Sequence, residues 1–164
     1  LAMQNKTKNN IKLFAISIAI PVIVGLLSAF ITMDNMGIYK EVQTPPLSPP
    51  SILFPIVWTI LYVLMGISCA IVCKNREKDR KNADTGIAAY AASLAFNFVW
   101  SILFFNMRLF LFSFIWLCVL LLLIILTIIY YKRISPLAAY LQIPYAVWVA
   151  FAGYLNIGIW FLNR

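Results

Sequence analysis

Five long apolar runs divide this chain, and each is about as long as a helix that crosses a lipid bilayer. The runs cover about residues 11–33, 50–73, 84–106, 109–131 and 137–162. At ~1.5 Å per residue, about 20 helical residues cross a ~30 Å hydrocarbon core. A spanning segment has to be helical, because its backbone groups find no water partners in lipid. The sequence therefore predicts an all-α, polytopic membrane protein, a five-transmembrane-helix bundle that forms a single domain over residues 1–164.

Composition supports this class and excludes several kinds of chemistry. Hydrophobic residues make up 63% of the chain and charged residues only 11%, which is more apolar surface than a soluble domain of this size can hide. The chain has no histidine, so Ser-His triads, histidine metal sites and histidine-ligated haem are excluded. Cys69, Cys73 and Cys118 form no recognisable ligand set, so we expect them to pack and expect no metal site.

The distribution of charge predicts how the bundle is oriented. The net charge of +8 lies in short segments between the apolar runs, with ten basic residues on the amino-terminal side and three on the other. This pattern indicates a lipid bilayer as partner, not nucleic acid, and it predicts a cytoplasmic amino terminus in a bacterial plasma membrane. The basic segment 74–82 is a solvated loop or, alternatively, a recruitment site for a cytoplasmic partner.

The five acidic residues all lie in loops or at the edge of a span. Ionisable groups inside the membrane mark proton relays and ion pathways. Their absence from the span interiors argues against a proton-driven pump or an ion channel, and it leaves no general acid–base pair inside the bundle.

Proline stiffens the longest loop, 34–49. Pro45, Pro46 and Pro49 fix φ and lack N–H donors, so the proline-rich part of this loop is rigid and non-helical. Pro50 is expected in the first turn of the second span, where a helix tolerates proline. We predict that the loop covers a pocket between the helices.

Aromatic and amide side chains lie deep within the predicted spans. Trp58 is about 12 Å and Trp148 about 16 Å from the nearer end of its span, and Asn97 lies at about the depth of Trp58. Aromatic faces stack on flat ligands and an amide orients them. These residues predict a cavity for a flat, largely apolar ligand, or alternatively they pack the core of the bundle.

The third span carries small residues at helical spacing. Ala88 with Ala92, and Ala91 with Ala95, form two small-xxx-small pairs that permit close approach of helices. They form either a homodimer face or a packing face inside the bundle, and we expect the homodimer.

Several short motifs match a known family. They read Pro45, Pro49-Pro50, Phe54, Val57-Trp58-Thr59, Leu61-Tyr62 and Met65-Gly66 around the second span, Asn97-Phe98-Val99-Trp100-Ser101 and Phe104-Phe105 in the third, and Pro144-Tyr145, Trp148, Phe151-Ala152, Leu155-Asn156 and Leu162-Asn163 in the fifth. With these motifs the chain resembles the TspO/MBR family over about residues 11–163. The family comprises the tryptophan-rich sensory proteins of bacteria and the mitochondrial translocator protein, formerly the peripheral-type benzodiazepine receptor.

The resemblance implies a ligand and a function. It implies a five-helix bundle, commonly a homodimer, that binds a tetrapyrrole such as protoporphyrin IX or another flat lipophilic ligand. It implies a sensor or scavenger with light-dependent porphyrin degradation, in which Trp58 and Trp148 are the photochemical, catalytic residues. The alternative is a transporter of porphyrin or another lipophilic small molecule. No obligatory cofactor is expected, and porphyrin is ligand or substrate. The ligand-binding positions carried over are Tyr39, Pro50, Phe54, Trp58, Tyr62, Asn97, Trp100, Trp148 and Ala152.

Three positions depart from the family pattern. Ile38 and Thr44 stand where a loop tryptophan and a lysine are common, and Ile157 stands where the cholesterol motif has tyrosine. One aromatic and one cation that could contact a propionate are therefore replaced. Lys40 is the available substitute for the cation.

Overall fold

The structure is a computed structural model that describes residues 2–164, and within them the chain is helical and without strands. The helices are α1 (Ala2–Thr32), α2 (Ile38–Glu41), α3 (Leu53–Lys74), α4 (Arg80–Ser101), α5 (Phe110–Ile134) and α6 (Pro136–Leu162). Five segments of the described residues are long and apolar enough to cross a membrane, and they are Gln4–Glu41, Leu53–Lys74, Arg80–Asn106, Phe110–Ile134 and Pro136–Leu162. The predicted all-α bundle with five spans is confirmed.

The starts of three helices differ from the prediction by several residues. α1 begins at Ala2, because the polar segment before residue 11 continues the helix without interruption. α3 begins at Leu53, since the Leu53 backbone N–H donates to the Pro50 carbonyl at 2.9 Å and closes a turn there. The prediction that Pro50 lies in the first helical turn is therefore wrong. Trp58 lies about 8 Å from the start of α3, not about 12 Å.

The amino-terminal end of α4 also extends beyond the predicted span, from residue 84 back to Arg80. The Asp79 side chain accepts a hydrogen bond from the Asn82 backbone N–H and so caps the helix. Hydrogen bonds from the Asn82 side-chain amide and backbone N–H hold the pKa of Asp79 below its usual range. The cap explains why the helix begins in the basic segment.

The backbone that follows the carboxyl-terminal end of α4 is helical but not α-helical. Residues Ile102–Asn106 form a π-helical segment, and Arg108 just beyond it has a positive φ of 54°. The Asn106 side chain donates to the Ile31 carbonyl at 3.1 Å and accepts from Asn35 at 3.0 Å. These bonds join the ends of α1 and α4 beside the loop.

The five long helices pack in a fixed order. α5 lies against both α4 and α6, while α3 lies against α1 and α6. A Cβ built on Gly66 would lie 2.4 Å from the Ile18 Cα, so the backbones of α1 and α3 are in direct contact. Met65, Leu120 and Tyr145 are fully buried in the core between the helices.

The proline-rich loop is tied to α6. The Asn163 side chain accepts from the Gln43 backbone N–H at 2.9 Å and donates to the Gln43 carbonyl at 2.8 Å. The Tyr154 hydroxyl donates to the Pro46 carbonyl at 2.8 Å. Pro45 packs on Gly158, where a Cβ would lie 2.7 Å from the proline ring. The loop is thereby held across one end of the bundle.

Candidate functional site

A cavity of about 610 Å³ lies under this loop. It is bounded by α1, by the segment that contains α2, by the first turns of α3 and by the end of α4. Its lining consists of Val22, Gly25, Leu26, Ser28, Ala29, Thr32, Met36, Gly37, Tyr39, Lys40, Ser51, Ile52, Phe54, Pro55, Trp58, Thr59, Tyr62, Trp100, Ser101 and Phe105. Its size is within the ~300–1,000 Å³ range of small-molecule sites.

Five of the residues predicted from the sequence line this cavity. They are Tyr39, Phe54, Trp58, Tyr62 and Trp100. The rings of Tyr39 and Phe54 stack at 5.0 Å between centroids, and those of Trp58 and Tyr62 stack at 5.5 Å. The Trp100 indole N–H donates to the Asn156 side-chain oxygen at 3.1 Å, which fixes the orientation of that ring. The cavity therefore has aromatic walls held in defined positions.

A glycine on α1 and an asparagine on α4 hold Tyr62 in place. The Asn97 side-chain amide donates to the Tyr62 hydroxyl at 3.0 Å. A Cβ on Gly25 would lie 2.2 Å from the Tyr62 ring, so only glycine leaves space for it. The Asn97 side-chain oxygen is buried and has no hydrogen-bond partner among the described residues. Asn97 therefore positions a wall of the cavity from behind.

Four predicted positions do not line the cavity. Asn97 lies behind Tyr62, and Pro50 lies in the turn that precedes the lining residue Ser51. Trp148 lies on the far side of Phe54, with 5.9 Å between ring centroids. Ala152 is buried on α6. Their predicted roles in ligand binding remain predictions.

Sequence reasoning missed the whole α1 wall. Gly25, Ser28, Ala29 and Thr32 line the cavity from α1. These small residues recur at three- and four-residue spacing, which places them on one helical face. That spacing is the signal that could have identified them. It was obscured because α1 is apolar all round.

One charged residue, Lys40, is part of the lining. Its neighbour Glu41 accepts an ion-pair hydrogen bond from Arg108 at 2.7 Å. Within residues 2–164, Lys40 forms no ion pair. The cavity thus combines apolar and aromatic walls with a single cation near the loop.

The predicted dimer face lies elsewhere, on α4. Ala88, Ala91 and Ala95 are exposed, and Ala92 is half-buried. These residues therefore leave an open face of small side chains on the single chain. Assembly through it remains a prediction.

The fold and the cavity define a polytopic membrane protein with an aromatic cavity beneath a fixed loop. A model of the TspO/MBR family matches residues 17–161, and the chain belongs to this family. It is therefore an integral membrane protein.

Relatives in three domains of life support this assignment. The chain is 36% identical to the tryptophan-rich protein TspO of Chlorobaculum tepidum over 83% of this chain and 85% of that protein. It is 35% identical to the TspO of Archaeoglobus fulgidus over 94% and 99% of the two chains. It is 34% identical to the translocator protein of Bos taurus over 88% and 86%.

Proposed function

We propose that this protein binds a tetrapyrrole of the protoporphyrin IX type in the cavity under the loop, as a sensor or scavenger. The observation that carries the proposal is the aromatic cavity of about 610 Å³ with Lys40 as its one charged lining residue. Aromatic walls stack on a flat ring, while an ammonium group pairs with a carboxylate. A porphyrin with propionate groups combines both features.

The proposed pose follows from the walls. The ring plane stacks against Trp58, and the propionates extend toward Lys40, which lies beside the loop. Tyr39 and Phe54 enclose the ring from the loop side. In this pose the flat ring contacts the aromatic walls, and the propionates at its edge pair with Lys40.

The proposed photochemistry uses tryptophan as the electron donor. A light-excited porphyrin takes one electron from Trp58, and dioxygen takes that electron from the reduced porphyrin to form superoxide. The Trp58 radical cation then takes an electron from the ground-state porphyrin and returns to neutral tryptophan. Superoxide adds to the resulting porphyrin radical cation, and this oxidation bleaches the ring. Trp148 lies behind Phe54 and is the proposed second donor. Electron transfer itself moves no proton, so these electron-transfer steps use no acid–base pair, and the cavity lining contains no carboxylate or histidine.

A dark titration followed by illumination tests the proposal. Protoporphyrin IX is added to the purified protein in detergent while tryptophan fluorescence is recorded, and the complex is then illuminated while porphyrin absorbance is followed. We expect wild type to bind and bleach the porphyrin. We expect Trp58→Phe to bind it and, at equal light absorption, to bleach it about tenfold more slowly, because phenylalanine is a poorer electron donor than tryptophan.

Trp160→Phe is the matched control, because Trp160 packs on Phe161 and Arg164 away from the cavity. It should bind and bleach like wild type. Absence of porphyrin binding by wild type would refute the proposed ligand. Equal bleaching by wild type and Trp58→Phe would refute only the photochemical role.

A transporter of porphyrin or another lipophile is the alternative. The cavity reaches only part of the way into the bundle. Beyond Tyr62 the core is filled by the fully buried side chains of Met65 and Tyr145. A sealed-vesicle assay distinguishes the two, since a transporter moves porphyrin across the bilayer and a binder only retains it.

We also propose a homodimer through the alanine face and a cytoplasmic amino terminus. Ala91→Leu should then weaken dimerisation measured by cross-linking in native membranes, whereas Ala150→Leu, on an exposed face of α6, should not. Protease access to the basic segment 74–82 only from the cytoplasmic side would support the orientation.

A further inference from the structure

Two cysteine thiols face each other on one side of α3, far from the cavity. Cys69 and Cys73 are four residues apart in the helix and therefore share a face. Their sulfur atoms are 4.0 Å apart. Both thiols are free, Cys69 buried and Cys73 half-buried.

The sulfur separation suits one bridging atom. It is about twice a disulfide bond of ~2.05 Å, so the two residues form a dithiol. Metal–thiolate bonds are about 2.3 Å, and two such bonds across 4.0 Å enclose an angle of about 120°. That angle matches a metal with two sulfurs and one open position.

One thiol of the pair, that of Cys73, lines a cleft at the end of the bundle that carries the basic segment. Cys73, Arg76, Asp84, Ile87, Ala88 and Ala91 line this cleft, which has a volume of about 450 Å³. The Asp84 carboxylate is occupied by Arg76, whose guanidinium donates to it at 2.8 Å. In the single chain, Cys73 is therefore the thiol that opens on the cleft, and the one carboxylate in the cleft lining is already paired.

We propose that Cys69 and Cys73 bind a soft monovalent metal cation of the Cu(I) class. Thiolate ligands select such ions, and no described group of three or more His, Cys, Asp or Glu residues is available for a metal that needs more ligands. Binding forms two metal–sulfur bonds and releases two protons, with no change in oxidation state. The resulting bis-thiolate complex has one negative charge, part of which lies at the cleft because Cys73 is half-buried there.

Transfer of Cu(I) from a coloured chelator tests this site. Bicinchoninate-bound Cu(I) is mixed under anaerobic conditions with reduced protein in detergent, and loss of the chelator complex absorbance is measured. We expect wild type to remove one Cu(I) per chain, and Cys69→Ser and Cys73→Ser to remove none. Cys118→Ser is the matched control, since Cys118 is an exposed single thiol on α5, and it should behave like wild type.

A reagent that bridges two thiols tests the site in wild type, so its result does not depend on whether the cysteine variants fold. Phenylarsine oxide reacts with two neighbouring thiols, forming two arsenic–sulfur bonds and releasing one water. Mass spectrometry of wild type should find one bridged adduct, on the peptide that contains Cys69 and Cys73. Copper left with the chelator by wild type, copper removal by Cys73→Ser equal to that of wild type, or an arsenical found only on Cys118 would each overturn the proposal. None of these outcomes bears on porphyrin binding.

Discussion

At the residue scale, the shape of the cavity wall depends on a glycine that has no side chain as well as on the aromatic side chains that form the wall. Gly25 leaves space for the Tyr62 ring, and the Asn97 amide holds the Tyr62 hydroxyl from the other side. Trp58 then stacks on Tyr62. The wall that a flat ligand contacts is therefore set by groups on three helices.

Gly25→Ala should disturb this wall. The added methyl would lie 2.2 Å from the Tyr62 ring, so the ring must move and its hydrogen bond to Asn97 breaks. We expect porphyrin affinity to fall about tenfold, or about 1.4 kcal/mol, in a fluorescence titration. Gly153→Ala is the control, because Gly153 does not line the cavity and a Cβ there would meet only a Phe114 ring atom, at 3.8 Å. Equal affinity of Gly25→Ala and wild type would contradict the proposed wall.

Lys40→Gln should weaken binding only of ligands that carry a carboxylate. An exposed ion pair is worth up to about 1 kcal/mol, so affinity for protoporphyrin IX should fall by about fivefold. Affinity for its dimethyl ester should not change. Lys74→Gln, at the carboxyl end of α3, should leave both affinities unaltered. The same loss for acid and ester would show that Lys40 does not pair with a propionate.

At the element scale, the contact between α1 and α3 supports the cavity. A Cβ on Gly66 meets the Ile18 Cα at 2.4 Å, and a backbone atom cannot move aside as a side chain can. α1 supplies one whole wall of the cavity, including Ser28 and Thr32. Separation of these two helices would therefore remove that wall.

Gly66→Val should separate α1 from α3. Overpacking costs about 1–3 kcal/mol, so the thermal unfolding midpoint measured in detergent should fall, together with porphyrin affinity. Gly153→Ala is the control, since its nearest neighbour would be a Phe114 ring atom at 3.8 Å. An unchanged midpoint for Gly66→Val would contradict direct contact between the two backbones.

The elements were predictable from length and apolar character, but their ends were not. The five spans follow from the need to satisfy the backbone in lipid. The start of α3 depends on a turn closed by the Pro50 carbonyl, and the start of α4 depends on the Asp79 cap. Both are local hydrogen bonds that hydropathy does not register.

At the scale of the whole molecule, the site was predictable where a side chain carries its own signal. Trp58 and Tyr62 are large aromatics in an apolar run, and both line the cavity. The α1 wall was not predictable, because small residues in an apolar helix carry no chemical signal of their own. They contribute to the cavity only through the space that a larger side chain would fill. Trp148 was predicted from its depth, yet depth does not determine direction, and Trp148 packs against Phe54 without lining the cavity itself.

The cavity and the cleft lie at opposite ends of the bundle. The aromatic cavity lies under the fixed loop, and the cleft with Cys73 lies at the opposite ends of α3 and α4. The core between them contains fully buried side chains such as Met65 and Tyr145. This arrangement favours binding at each end over passage through the bundle.

The position of the porphyrin is the central claim, and the five tryptophans of wild type report it without any substitution. A brief illumination of the porphyrin complex followed by mass spectrometry measures oxidation at each indole. Trp58 and Trp100 line the cavity, whereas Trp116 stacks on Phe96 and Trp160 lies near the carboxyl terminus. We predict oxidation first at Trp58 and Trp100. Oxidation at Trp116 and Trp160 that equals or precedes oxidation at Trp58 would contradict binding in the cavity.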